Sequence, residues 1–382
     1  MKLALVRQRY NPYGGAERFV AHTLEALSRS GGADITLIAR SWPETVQIPD
    51  GTAWKMKRCD PPYSRLFGGR LARDRGFCQA VEREIAEGAY DIVQAHERIP
   101  GCTVFRAGDG IHAAWFARLR RARGPLGKLG LRLDSYHRYV LETERRMFAH
   151  PALRAVICVS KMVREEAIRH YGVPEDKLHL IYNSVDGALF HPGLAERYRA
   201  EIRVAHGIPA EAPLALFVGS GFERKGVPRL LAALAACRRR DIHLAVVGAD
   251  KNTGAMQRLA ARLGVGARVR FPGAQNDARP WYGAADLFAL PALYDPFANA
   301  CLEALSCGLP VIASATCGAS ELITPGENGA VCDAFDVTAL AAHLEAFALP
   351  AETQKKSARA AVESLSPEAM SARLLGLYRA LM

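Results

Sequence analysis

Three stretches of the chain combine glycine-loosened backbone with charged side chains. In Gly219-Ser220-Gly221-Phe222-Glu223-Arg224-Lys225-Gly226 two adjacent cations follow an apolar run, Leu214–Val218, and precede the helical pattern Arg229–Ala236. Arginine grips phosphate through two parallel N–H bonds and lysine is a mobile point charge, so Gly219, Arg224 and Lys225 suit a diphosphate at the carboxyl end of a strand. The alternative is a solvated loop with incidental cations. The second stretch runs from Pro291 to Pro310 and carries Asp295 and, inside an otherwise apolar helical segment, Glu303. A carboxylate buried there needs a partner, and two vicinal hydroxyls of a ribose would supply two donors side by side. Asp295 would then reach the hydroxyls of a transferred sugar, and the amides of Phe297, Ala298, Asn299 and Ala300 at the helix start would meet phosphate. The third stretch, Asn11–Arg18, holds Gly14 and Gly15 between a strand and a helix, where a phosphate or sugar can approach the backbone. A purely structural turn explains those glycines too, and no Gly-x-Gly-x-x-Gly accompanies them.

These residues need a scaffold that brings several strand ends together. Apolar runs at Lys2–Arg7, Ile35–Ile38, Ile92–Ala95, Val104–Ala107 and Ala155–Val159 alternate with helical patterns such as Lys161–His170. That alternation predicts a parallel sheet wrapped by helices. The pattern restarts with Leu214–Val218, Leu244–Val247, Val269–Phe271, Leu287–Leu290 and Val311–Ala313, which predicts a second domain of the same kind. Val185–Gly207 has turn formers and no strand pattern, so a linker is placed there. The resulting division is 1–184, 185–364 and a final segment, 365–382, whose Met370, Leu374, Leu375, Tyr378 and Leu381 recur at helical spacing and should pack back on the first domain.

A chain of 382 residues with 49% apolar content is large enough for two cores. It has no apolar run of about 18 residues and no signal-like start, which predicts a cytoplasmic protein. The nine cysteines are scattered without metal-type or Cys-x-x-Cys spacing and read as reduced, mostly buried thiols. Fifty basic against 39 acidic residues give a net charge of +11, which implies an anionic partner: nucleic acid, acidic lipid or a phosphorylated substrate. Trp115–Arg138 concentrates seven Arg or Lys against one Asp, interleaved with Trp115, Phe116 and several leucines. The wider basic run Arg118–Arg146 reads as helix. Its composition suits an anionic membrane surface, with a solvated basic face as the alternative. Neither a zinc knuckle nor an aromatic RNA-binding motif accompanies the charge, which argues against nucleic acid.

The motifs Gly219–Gly226 and Asp295–Pro310, with Tyr13-Gly14-Gly15, Val247-Gly248-x-Asp250 and Val311–Gly318, resemble the family 4 retaining glycosyltransferases and, within them, the lipopolysaccharide core glucosyltransferases. The resemblance implies a GT-B fold: an α/β protein of two Rossmann-like domains facing a central cleft. It implies a UDP-sugar donor, with glucose as the hexose, and a heptose of the lipopolysaccharide core as acceptor. Glu303 becomes the ribose ligand. Asp295 replaces the first of the family's two glutamates, which bears on the donor sugar. Backbone groups of Ala274 and Gln275, in Gly273–Asp277, would hold uracil. By analogy His96, Glu97, Asp109 and His112 would bind acceptor, at the ends of two strands of the first domain. Arg224 and Lys225, with Asp109 and Asp295, form the implied catalytic set, and a front-face reaction is expected in which the leaving phosphate helps deprotonate the acceptor. No Asp-x-Asp motif is present, so no metal or other cofactor is expected. The implied protein is a monomer, peripheral at the cytoplasmic face of the inner membrane and without a nucleic-acid partner. A transferase acting on another polysaccharide or glycolipid, or a sugar-nucleotide epimerase of the same fold, are the competing readings.

Overall fold

The structure is a computed structural model, which describes residues 1–9, 34–42, 54–63 and 69–382. The chain divides into two compact units, one made of Met1–Asn183 with Glu368–Met382, the other of Ser184–Pro367.

In the first unit seven strands form one sheet: β1 Lys2–Val6, β2 Asp34–Ala39, β3 Trp54–Arg58, β4 Ile92–Ala95, β5 Val104–Arg106, β6 Ala155–Cys158 and β7 Leu178–Leu180. Their order is β3-β2-β1-β4-β5-β6-β7 and every pair is parallel. β4, β5 and β6 are buried along their whole length, so they read as largely apolar runs, and even their polar members Gln94 and Arg106 lie inside. β3 was not expected. Its Lys55, Lys57 and Arg58 are exposed at the sheet edge, where charge is tolerated and discourages pairing with other chains. The helix Pro367–Ala380 completes this unit. Met370, Leu374, Leu377, Tyr378 and Leu381 join Leu3, Leu5, Ile92, Val104 and Ile157 in one buried cluster, and the Tyr378 hydroxyl donates to Gln94 Oε1 at 2.8 Å.

The second unit repeats the plan with six parallel strands: β8 Leu214–Val218, β9 His243–Val247, β10 Val269–Gly273, β11 Leu287–Leu290, β12 Val311–Ser314 and β13 Gly329–Cys332, in the order β10-β9-β8-β11-β12-β13. The linker expectation for Val185–Gly207 is corrected. Leu194–Ala205 is a helix that packs against the helix Arg279–Ala284. Buried Arg203 fixes it there, donating to the carbonyls of Ala284 and Ala212 at 3.1 and 2.7 Å and pairing with Asp286 at 2.8 Å. The strand-free sequence hid a helix whose polar residues are spent on internal ties.

The basic run is helical but in three pieces, His112–Arg121, Pro125–Leu133 and Ser135–Phe148. Pro125 starts the second after Gly124, and Asp134 caps the third by accepting from the amides of Tyr136 and His137. All nine cysteines are free, eight of them buried. Among the described residues no helix is long and apolar enough to cross a membrane.

Candidate active site

Both sheets are doubly wound, and in each the connections change direction between two central strands: β1 and β4 in the first unit, β8 and β11 in the second. The crevice beyond the carboxyl ends of such a pair is where open α/β sheets bind ligands.

In the second unit the loop after β8 and the loop after β11 meet at that point. The Leu293 amide donates to the Arg224 carbonyl at 2.8 Å, and Arg224 Nη1 donates to the Tyr294 carbonyl at 2.7 Å. Gly226 makes the approach possible: its φ is +89°, and a Cβ there would collide with the carbonyl of Pro291. Asp295 is buried, and its Oδ2 lies 3.7 Å from Arg224 Nη1 and 3.5 Å from Lys225 Nζ. These distances neutralise charge without forming short hydrogen bonds, so the two cations keep donor capacity for an anion. Gly219 leaves room for the lysine, since a Cβ there would lie 3.0 Å from Lys225 Nζ. The sequence-derived residues Gly219, Arg224, Lys225 and Asp295 are thus brought together.

Sequence reasoning noted Asp250 only as part of a motif. Its Oδ2 accepts from the amides of Gly221 and Phe222 at 2.8 and 3.0 Å, so this side chain of the loop after β9 holds the cation-bearing turn. Partial burial pushes the Asp250 carboxyl up, but the amides of Asn252, Phe222 and Gly221 outweigh it and hold it below the usual value. The amides of Gly221 and Phe222 are therefore occupied from within the fold.

Glu303 sits in the second turn of the helix Asn299–Ser306. It is buried and accepts at Oε2 from the Tyr282 hydroxyl at 2.7 Å. Tyr282 is fully buried, stacked on Phe288 and edge-on to Phe190. Burial drives its phenol well above the ordinary value and Glu303 adds to the effect, so it remains a donor. One Glu303 oxygen is thereby oriented by a rigid phenol. Tyr282 was missed, because its hydroxyl lies in an aromatic segment that reads as core. Phe297 and Ala298 are buried and Asn299 and Ala300 half-buried at the helix start, where the cap residue Ala298 has no side chain to satisfy the first turn. Ala274 and Gln275 are exposed beyond β10, at the sheet edge two strands from β8, and the Gln275 amide donates to the Pro272 carbonyl at 3.1 Å. Gly14 and Gly15 lie outside the described residues.

In the first unit the residues read as acceptor ligands separate into three settings. Glu97 follows β4 and accepts from Arg7 Nη1 at 3.3 Å and from the Gln8 amide at 2.8 Å. Asp109, exposed, lies 3.7 Å from the same Arg7 nitrogen. Burial of Glu97, whose Oε2 has no hydrogen-bond partner among the described residues, pushes its carboxyl up to about 7 against the pull of Arg7. His96 is instead buried behind this surface, its Nε2 3.2 Å from Gln94 Nε2, and burial with Arg106 and Arg7 nearby lowers its ring well below the usual value. His112 opens its helix with Nε2 3.0 Å from His137 Nδ1, and burial, aided by Arg98, depresses it to about 3. Glu144, fully buried and unpredicted, caps that helix through the amides of His112 and Ala113 and pairs with Arg98 at 2.7 Å. Glu97 and Asp109 therefore share one arginine, while both histidines are neutral and internally engaged.

Among the described residues no group of three or more His, Cys, Asp or Glu is placed to hold a metal ion. Of the basic run, Arg118 pairs with buried Glu166 at 2.5 Å, whereas Arg120, Arg123, Arg132 and Arg138 are exposed. The helix Pro125–Leu133 carries Leu129 and Leu133 at 55% and 71% exposure, four residues apart on one face.

Two doubly wound sheets, each with charged loops at its switch point, define a protein of the GT-B class. Residues 13–188 match the family model described as Glycosyltransferase Family 4, and residues 198–363 match that of Glycosyl transferases group 1. The chain belongs to the family 4 glycosyltransferases. It is similar to lipopolysaccharide glucosyltransferase WaaG of Escherichia coli, 27% identical over 341 residues that cover 87% of this chain and 85% of that protein. The crystal structure of a WaaG involved in lipopolysaccharide biosynthesis superposes with a TM-score of 0.80 at 26% identity, over 98% of this chain and all of that one. D-inositol 3-phosphate glycosyltransferase 1 of Catenulispora acidiphila is 28% identical over 349 residues, 85% of this chain and 79% of that protein. Anabaena HepE in complex with UDP-glucose shares the fold, with a TM-score of 0.70 at 21% identity over the whole of both chains.

Proposed function

We propose that this glycosyltransferase moves a hexose, glucose, from a UDP-sugar onto a heptose of the lipopolysaccharide core, with retention and without a metal. The observation that carries the reading is Asp295 set between Arg224 and Lys225, on the loops that follow the two central strands, together with Glu303, on the helix that follows β11, held by Tyr282. Glu303 takes the ribose hydroxyls and the two cations take the diphosphate. Asp295 keeps those cations in place and faces the sugar. As the bond from the anomeric carbon to the phosphate oxygen breaks, Arg224 and Lys225 neutralise the charge that gathers on the departing UDP. The acceptor oxygen bonds to the same face, and its proton passes to the leaving phosphate. No side chain serves as nucleophile, because Glu303 is committed to ribose. Catalysis is then mainly positioning and preorganised charge.

The exposed cations and leucines around the helix Pro125–Leu133 fit a peripheral attachment to an anionic membrane, where such an acceptor resides. The test is transfer from UDP-glucose, with UDP-galactose in parallel, to detached core oligosaccharide, with the product anomer assigned by NMR and excess chelator present. An α-linked glucosyl product formed in chelator is expected. No product from either donor would sink the reading, and activity restored by magnesium or manganese would overturn its metal-free part. A second acceptor has support: relatives named as D-inositol 3-phosphate glycosyltransferases match at the same level of identity, so a phosphorylated polyol belongs in the acceptor panel.

A further inference from the structure

The switch point of the first unit opens into a cavity of about 380 Å³. Its walls are unusually cationic: Arg7, Arg9, Arg70, Arg73 and Arg98 against Asp74, Glu97 and Asp109. The five cations are not equally committed. Arg98 is tied to Glu144 and Arg7 to Glu97. Arg73 spends its Nε on Asp74 at 2.7 Å, and no described residue accepts from its two terminal nitrogens. Arg70 has a side chain 68% exposed, lies across the Tyr136 ring at 4.0 Å and is only loosely paired with Asp74 at 3.7 Å. Asp74 holds the arrangement still, since its carboxylate also accepts from Gln8 Nε2 at 2.9 Å and from the Tyr136 hydroxyl at 3.0 Å. Asp74 is held ionised: partial burial raises its carboxyl, and the bonds from Arg73, Gln8 and Tyr136 outweigh that and lower it. Phe77, Ile99 and Val140 give the cavity an apolar floor. An apolar floor with convergent polar groups is how a pocket fixes a small ligand, and forked guanidinium donors select an oxyanion.

We infer that this cavity, with Arg70 and Arg73 as its anion ligands, binds an acidic sugar, the acceptor's own phosphate or carboxylate substituent resting on the two guanidinium groups. The inference rests on the transferase reading and specifies the acceptor it takes: a sugar bearing negative charge rather than a neutral hexose. Phosphate and carboxylate share the chemistry, and the measurement separates them.

The experiment is calorimetric titration of the full chain with mannose 6-phosphate, glucuronic acid and unsubstituted mannose, with UDP titrated separately. One or both acidic sugars should bind at least about ten-fold tighter than mannose, the tighter of the two naming the substituent. Arg70→Gln with Arg73→Gln should remove most of that preference while leaving UDP affinity unchanged. Equal binding of mannose and both acidic sugars would overturn the inference, as would a double variant that keeps the preference or loses UDP affinity in parallel. Should Arg73→Gln compromise folding, Arg70→Gln alone carries the test, because Arg70 is largely exposed and has no tight partner. The two readings fail separately: loss of the acidic-sugar preference with UDP binding intact removes the pocket and keeps the transferase, whereas absent UDP binding removes the donor assignment whatever the cavity does.

Discussion

Tyr282 and Glu303 show how a single hydrogen bond can decide whether a buried carboxylate is useful. Glu303 left alone in an apolar helix would be costly, and a phenol locked between Phe288 and Phe190 holds one oxygen and leaves the pair rigid. Tyr282→Phe keeps the packing and deletes the donor, so UDP should bind roughly ten-fold more weakly, the size expected for a hydrogen bond to a charged group. Glu303→Ala should cost more, and kcat at saturating donor should fall less than UDP affinity in Tyr282→Phe. Calorimetry with UDP checks both, and unchanged affinity in folded Glu303→Ala would remove the ribose assignment. Glu97 gives a pH-dependent counterpart. Its carboxyl stands near 7 in the folded protein, and its unfolded value is about 4.3. The raised value means that the folded state holds a proton that the unfolded state has released between those limits. The stabilisation is complete below about 4.3 and is lost as pH rises through 7. Glu97→Gln should flatten that part of the profile in urea unfolding at a series of pH values, and an unchanged profile would refute the assignment. Asp295 and Glu303 could be singled out in the sequence because charges among apolar residues demand a reason, and Arg224 and Lys225 because adjacent cations stand on a glycine-loosened loop after a strand. Tyr282, Asp250 and Glu144 were not, since each acts on a distant backbone or side chain that only the fold brings near.

At the scale of elements, most strands announced themselves as apolar runs, whereas β3, β7 and β13 did not. β8 and β11 are continuous apolar runs and β4 is broken only by Gln94, whereas β3 carries three cations at an edge and β7 is only three residues long. The helix Leu194–Ala205 escaped for another reason: its arginines look like a solvated surface but close onto Asp286 and backbone carbonyls. The same distinction changes how the basic run should be tested. Arg118 belongs to a pair with buried Glu166, so replacing it would disturb the fold of the first unit. Arg120, Arg123 and Arg132 are exposed around the helix Pro125–Leu133, whose Leu129 and Leu133 face solvent. The chain should pellet with phosphatidylglycerol vesicles and not with neutral ones, and high salt should release it, each cation near the surface contributing roughly 1 kcal/mol. Serine at Arg120, Arg123 and Arg132 should reduce pelleting by at least about ten-fold in partition, with transfer to a detached acceptor retained. Equal pelleting of the triple variant would make this face a merely solvated one.

At the scale of the whole molecule the chain encloses one unit within the sequence of the other, since Glu368–Met382 returns to the sheet begun by Lys2–Val6. The helical spacing of Met370, Leu374 and Tyr378 was visible in the sequence and pointed back to the first unit, whose buried cluster this face joins; the tie from Tyr378 to Gln94 is the part that no periodicity can announce. The consequence is a division of stability. Each unit has its own sheet and its own buried cluster, so thermal unfolding should show two transitions rather than one. Ending the chain at Pro367 strips Met370, Leu374, Leu377 and Tyr378 from the first core, a loss of roughly 1.5–3 kcal/mol for each side chain. Their sum is comparable to the whole stability of an ordinary domain, about 5–15 kcal/mol. The transition of the first unit should therefore vanish or fall steeply, while that of Ser184–Pro367 stays in place and still rises when UDP is added, because ligand binding to the folded form stabilises only the unit that holds it. Tyr378→Phe, which removes only the hydroxyl, should lower the first transition by the few degrees that about 1 kcal/mol implies. Scanning calorimetry of the three proteins with and without UDP reads all of these outcomes. A truncated chain that keeps its first transition would show that the C-terminal helix covers the sheet without supporting it, and a UDP-induced rise in the first transition rather than the second would move the donor site to the other unit.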